Sequence, residues 1–422
     1  MTNPFDKTIH FEDQGRPRAA VMQALETMRE GDVDWRAGRA PLYVFSATDA
    51  VAEIGKDAFN AFFSENALGA RRAFPSLLRM EQEVVGMGLD LFHAPAGAAG
   101  NMTSGGTESI VMAVKACRDW ARARRGDARF RGNLVLPASA HPAFDKAAAM
   151  MDLDIRRVPL AAGYVADPAA MAAAIDADTM LIAGSVPCFS FGTIDPIAAL
   201  SEIAVARGVW LHVDACVGGW MAPFAAEIGR AIPAFDFALP GVCSISADLH
   251  KFGFTPKPAS TVFYRSAALH AFQEFAFDTW PSGRFATHTL VGTRAGGAVA
   301  AAWAVLRHLG RAGYRQIATE LMDMRDAYLA DLAAIPGMVI RGRPALANIA
   351  FGCDDIDMGE VATALGERGW LVGMVKTPAS LHLMLSMHHR DARAQYVGDV
   401  AACMAEVRSA HGARTATVAT YA

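Results

Sequence analysis

The spacing of apolar and polar positions divides the chain into regions of different period. Residues 17–30 ("PRAAVMQALETMRE") repeat apolar positions at helical spacing, which predicts an amphipathic helix with Pro17 in its first turn. An irregular stretch follows, and helical periodicity returns over residues 75–92. From residue 101 to about 265 the pattern changes. A Gly/Ser/Thr turn, "TSGGTES", opens a helix near Thr107 that runs to about Arg125. Short apolar runs then alternate with helical ones, at 133–137, 180–185, 209–215, 244–248 and 260–265. That alternation predicts a largely parallel sheet covered by helices on both faces. A long helical stretch, roughly 295–333, is interrupted around "LGRAGY". Beyond it, the order strand, strand, helix, strand, strand, helix predicts a smaller α+β unit. Asp357 and Glu360 supply a D-x-x-E start signal for its first helix. The chain is divided on this basis into an N-terminal segment (1–70), a large domain (71–310) and a small C-terminal domain (311–422). The final "GARTATVATYA" reads as a loose tail.

Composition narrows the class. The chain of 422 residues is 53% hydrophobic and 19% charged, as expected of a well-buried globular protein. Its net charge of −4 carries no block of like charges, so neither nucleic-acid binding nor a polybasic membrane anchor is expected. The six cysteines are scattered without a CxxC or Cys/His spacing, so no metal site is expected and free thiols in a reducing cytoplasm are. The N-terminus has no apolar signal core. The longest nearly uncharged small-residue run, 295–306, is too short to span a bilayer. A cytoplasmic protein without an integral membrane segment is expected.

Chemistry enters at the strand ends. In an open parallel sheet, ligands bind beyond the C-terminal ends of the strands. His141 follows the run 133–137, Asp214 ends "VWLHVD", and His250 and Lys251 follow "SISADL". "TSGGTES" precedes them all. Each has a plain alternative: a capped helix start, a surface histidine, a loop acid, a solvated lysine. Together, in this order, they match what pyridoxal 5'-phosphate requires of a protein. Lys251 supplies the amine for a Schiff base. Asp214 keeps the pyridine nitrogen protonated. Gly106 and Thr107 offer backbone N–H groups and a hydroxyl to the phosphate. His141 stacks on the ring.

"TSGGTES", "SAHPAFDKAA", "FGTIDPI", "LHVDACVGGW" and "SISADLHKFGFTPK" together resemble the sphingosine-1-phosphate lyase family. That family sits in the group II decarboxylase branch of fold-type I pyridoxal phosphate enzymes. The resemblance runs from about Trp35 into the C-terminal unit. It implies the fold-type I, transferase-like α/β architecture, with a large mostly parallel sheet domain and a smaller α+β C-terminal domain. It implies a homodimer with active sites at the interface, in which Thr293 of "GTRAGG" reaches the partner's cofactor phosphate. It also implies a phosphate contact from His250. The implied reaction is retro-aldol cleavage of a sphingosine 1-phosphate-like substrate (a 2-amino-3-hydroxy phosphate ester) to a long-chain aldehyde and phosphoethanolamine. Lys257 and Tyr43 would hold the substrate phosphate.

One departure stands out. The family's Asn-Pro-Leu-His element reads "ENALGARRAF" here, with Asn66 and Leu68 retained and Gly69 in place of the histidine. Arg71 and Arg72 follow, and either is a candidate to take over that histidine's contact with the substrate phosphate. An amino-acid decarboxylase is the competing enzymatic reading. A non-catalytic scaffold is the third, disfavoured by the intact set Lys251, Asp214 and His141.

Overall fold

The structure is a computed structural model and describes residues 9–409; the C-terminal tail lies outside the described residues. Three helices come first: α1 (Arg18–Met28), α2 (Asp49–Ala61) and α3 (Pro75–Leu91). The central region alternates strands and helices: β1 (Ala99–Thr103), α4 (Gly106–Arg125), β2 (Asn133–Pro137), α5 (Ala143–Met151), β3 (Asp154–Val158) and the hairpin of β4 (Leu160–Ala161) and β5 (Val165–Ala166). It continues with α6 (Pro168–Ala174), β6 (Thr179–Ser185), α7 (Ile197–Arg207), β7 (Trp210–Asp214), α8 (Ala222–Glu227), β8 (Val242–Ala247), β9 (Ser260–Tyr264) and α9 (Ala267–Ala271). A second hairpin pairs β10 (Phe275–Phe277) with β11 (Phe285–Thr287). The long helix α10 (Gly296–Ala333) leads to β12 (Val339–Ile340), β13 (Asn348–Gly352), α11 (Met358–Glu367), β14 (Gly373–Val375), β15 (Ser380–Met384) and α12 (Arg393–Ser409).

The main sheet has seven strands in the order β1-β9-β8-β7-β6-β2-β3. Its neighbours are parallel from β3 to β8, and β9 runs antiparallel to both β8 and β1. The reversal at β9 turns the connection after β8 into a tight return across the strand ends, and that return carries Lys251. β2, β6 and β7 are buried along their whole length, which requires cover on both faces. Leu134, Leu136, Trp210 and Tyr264 pack with α4 and α5 on one face. Val135, Ile182, Leu211, Val213 and Ile245 face the larger core with α3, α8 and α10. Because side chains alternate along a strand, the face of β7 that carries Trp210 also carries His212 and Asp214. Asp214 is thereby directed toward the α4 side.

The expected break in the long helix is a backbone kink inside α10, where Gly310 adopts φ 54 and ψ −174, a conformation that costs a glycine little. The small sheet, β12-β13-β15-β14, is antiparallel and follows the anticipated strand–helix order. Asp357 caps α11 by accepting from the Gly359 N–H at 2.7 Å. Residues 39–46 tie the N-terminal region to this small sheet. Met384 N–H donates to the Pro41 carbonyl at 2.8 Å, and Ser46 N–H donates to Ser386 Oγ at 2.7 Å.

Candidate active site

Five connections meet at the C-terminal rim of the main sheet: β1 to α4, β2 to α5, β6 to α7, β7 to α8, and β8 to β9. They bring Gly106, Thr107, His141, Asp214, His250 and Lys251 around one cavity of about 260 Å³. The start of α4 forms one wall. Glu108 accepts from the N–H and hydroxyl of Ser104 at 2.7 and 2.5 Å, and from Leu290 N–H at 2.8 Å, which locks the turn. The first N–H groups of a helix lack intrahelical acceptors, and at Gly106 and Thr107 they border the cavity. Gly106 must be a glycine for close approach. A Cβ there would lie 2.8 Å from Cys216 Sγ and 2.9 Å from each Asp248 carboxylate oxygen.

Asp214 is buried and held by two donors. Its Oδ1 accepts from Cys216 N–H at 3.1 Å and from Ser246 Oγ at 3.4 Å. Behind it runs a buried polar chain across β7 and β8: Trp210 Nε1 to Ser244 Oγ (2.7 Å), Ser244 Oγ to His212 Nδ1 (2.8 Å), and His212 Nε2 to Ser246 Oγ (3.1 Å). Burial pushes His212 down to about 4, so its ring is neutral and carries one proton.

Lys251 Nζ lies 3.0 Å from the buried Asp248 carboxylate. Burial opposes its charge, but the neighbouring carboxylates, Asp248 foremost and then Asp214, outweigh it and raise the lysine above its ordinary value. His141 is pulled below its usual range, by burial first. Its Nδ1 accepts from Ala143 N–H at 3.1 Å, which leaves the proton of the neutral ring on Nε2. His250 is likewise lowered by burial, and its Nδ1 accepts from Ala259 N–H at 3.2 Å. Its Nε2–H therefore faces the cavity and Asp248.

Five candidate residues stand apart from the cavity wall of a single chain. Thr293 is exposed and accepts from Asn66 Nδ2 at 3.3 Å. Arg71 and Arg72 are exposed on the loop after Asn66. Tyr43 is exposed and takes a left-handed backbone, φ 65. Lys257 lies on the return loop, its pKa lowered by desolvation and by the charge of Lys251. Sequence reasoning missed Asp248, His212, Ser246 and Phe189. The spacing of Asp248 three residues before Lys251 was a usable signal, as was the alternation Trp210, His212, Asp214. Phe189 carried none, because a loop places it edge-on to His141 at 6.1 Å.

Residues 56–353 match the pyridoxal-dependent decarboxylase conserved domain. The sphingosine-1-phosphate lyase of Oryza sativa subsp. japonica is 34% identical over 387 residues, covering 90% of this chain and 71% of that protein. The solved structure of the Burkholderia pseudomallei sphingosine-1-phosphate lyase superposes with a TM-score of 0.91 at 36% identity, covering 96% of this chain and 95% of that one.

The chain belongs to the sphingosine-1-phosphate lyase family.

It is at the same time a member of the wider pyridoxal-dependent decarboxylase family, as residues 56–353 show. A probable L-tyrosine/L-aspartate decarboxylase of Methanosarcina acetivorans is 33% identical, covering 90% of this chain and 95% of that protein. The cofactor of the family is pyridoxal 5'-phosphate, and the donor set fits it. The cavity offers a lysine amine, a carboxylate held by donors, and a helix start whose glycine leaves the backbone accessible. Among the described residues no helix is long and apolar enough to cross a membrane.

Proposed function

We propose that this chain is an aldehyde-lyase that cleaves the C2–C3 bond of sphingosine 1-phosphate or a similar 2-amino-3-hydroxy phosphate ester, releasing a long-chain aldehyde and phosphoethanolamine. The observation that supports it most is the convergence of Lys251, Asp214, His141 and the α4 start on one cavity in a chain of lyase ancestry. Bound pyridoxal 5'-phosphate would supply the electron sink for the carbanion left when the bond breaks.

The residues divide the remaining work. Lys251 supplies the amine that holds the cofactor and returns a proton to the substrate carbon. Asp214, fixed by Ser246 and Cys216, stabilises a proton on the pyridine nitrogen. His141, neutral, presents its ring face to the cofactor. Gly106, Thr107 and His250 Nε2–H bind its phosphate. Tyr43 and Lys257 bind the substrate phosphate, with Arg71 or Arg72 standing in for the histidine absent at Gly69. Thr293 reaches the cofactor phosphate of a second copy, in a cytoplasmic homodimer. The exposed Leu68, Leu290 and Val291 beside Thr293 give such a copy an apolar surface to cover.

Decarboxylation of an amino acid is the second reading. It is favoured by the Methanosarcina relative, whose length this chain spans almost completely. The purified protein should be incubated with sphingosine 1-phosphate, its dihydro form, tyrosine and aspartate, and the products identified. Aldehyde and phosphoethanolamine are expected from the first two, and Lys251→Ala should abolish them. Carbon dioxide from an amino acid, with the phosphate esters untouched, would replace the lyase reading with the decarboxylase one.

A further inference from the structure

We propose that Asp248 is the buried counter-ion of Lys251, a positioning residue that parks the lysine ammonium in the cavity and sets the pH at which its amine becomes free to attack a carbonyl. This rests on the reading of Lys251 as the cofactor amine.

The geometry carries the inference. The Asp248 side chain is 1% exposed, and an unpaired charge so placed would be costly. It is satisfied from several sides. Ser260 Oγ donates to Oδ1 at 2.5 Å, Lys251 Nζ lies 3.0 Å from Oδ2, and His250 Nε2 lies 3.7 Å from the same oxygen. The bare backbone of Gly106 closes the remaining side, where a Cβ would sit 2.9 Å from both oxygens. The carboxylate therefore has no room to rotate away. Asp248 stands three residues before Lys251, in a turn where the Lys251 N–H donates to the Asp248 carbonyl at 3.3 Å, and its carboxylate pairs with Lys251 while lying close to His250.

Other titratable groups also face Lys251. Asp214 is the second carboxylate that raises it, less strongly than Asp248. The Cys216 thiol is pushed well up by burial and by both carboxylates, so it is uncharged near neutrality. His141 and His250 are pulled down by burial and are neutral there too. Lys257 is a like charge and opposes the ammonium. Asp248 and Asp214 are thus the anions that matter, and only Asp248 is shown in direct contact.

The pair also explains why a lysine with only 20% of its side chain exposed holds its proton tightly. Only the neutral amine attacks a carbonyl. With Asp248 in place, cofactor uptake requires Lys251 to surrender its proton first, so uptake should accelerate as pH rises.

The test is labelling of the cofactor-free full chain with a small acylating reagent across pH, read peptide by peptide, with exposed Lys56 as the internal reference. Wild-type Lys251 should titrate above Lys56. Asp248→Asn should raise its labelling rate near neutral pH by roughly tenfold or more, about one pKa unit. Asp214→Asn should raise it less. A wild-type Lys251 that titrates at or below Lys56 would overturn the proposal, and that measurement needs no variant to fold. So would an Asp214→Asn effect equal to or larger than that of Asp248→Asn. No substrate or turnover is involved, so failure here is distinguishable from failure of the lyase reading.

Discussion

A buried indole N–H can only donate, and a carboxylate can only accept. Those two ends orient every bond between Trp210 and Asp214. Ser244 receives from Trp210 and gives to His212; His212 gives to Ser246; Ser246 gives to Asp214. A protonated His212 would donate from both nitrogens and break the run, so its depressed pKa is part of the arrangement. His212→Phe keeps the ring and removes both bonds, leaving buried hydroxyls short of partners. The expected loss is about 1–3 kcal/mol of unfolding free energy, read from urea titrations; an unchanged midpoint would count against the chain of bonds. Asp214 was legible in the sequence because it ends an apolar strand. His212 and Ser246 were not, because their partnership depends on the register His212↔Ser244 and Asp214↔Ser246, which pairs segments about thirty residues apart.

Among the elements, the start of α4 was readable in outline, since "TSGGTES" has the composition of a helix N-terminus. Its closeness to Asp248 was not. Gly106→Ala inserts a methyl group where Cys216 and Asp248 already stand within 3 Å. Overpacking of this kind typically costs about 1–3 kcal/mol. The predicted result is a lower thermal midpoint together with cofactor retention weakened roughly tenfold, about 1.4 kcal/mol, checked by visible absorbance after dialysis. Normal retention would show that the wall at Gly106 is softer than the packing implies. Other elements escaped the sequence pattern altogether. β1, "AGNMT", has one large apolar residue, Met102, too few for an apolar run, and is a strand because β9 pairs with it. β3, "DIRRV", lies at the sheet edge with most of its positions exposed, so it needs no apolar run.

Taken as a whole, the molecule buries three of its histidines almost completely. His212, His382 and His389 are at most 3% exposed, and burial holds each at about 4 against an ordinary 6.5. The unfolded chain therefore binds more protons than the folded one between those values, and stability falls as pH is lowered through that window. The linkage is on the order of 1–2 kcal/mol per histidine at pH 5. Thermal unfolding should show a midpoint that drops steadily from pH 6.5 to pH 4; a flat profile would mean that these rings gain protons without opening the fold. By itself the sequence determined the alternating α/β pattern, the kink in α10, the order of the small domain and the cofactor-type residues at the strand ends. Those are local facts, set by periodicity, capping and what each side chain can donate or accept. Tertiary structure decided the reversal of β9, the bond chain behind Asp214 and the contact of Asp248 with Lys251. Each of these joins segments distant in sequence or rests on how a loop folds back, and only the packed sheet brings them within hydrogen-bonding distance.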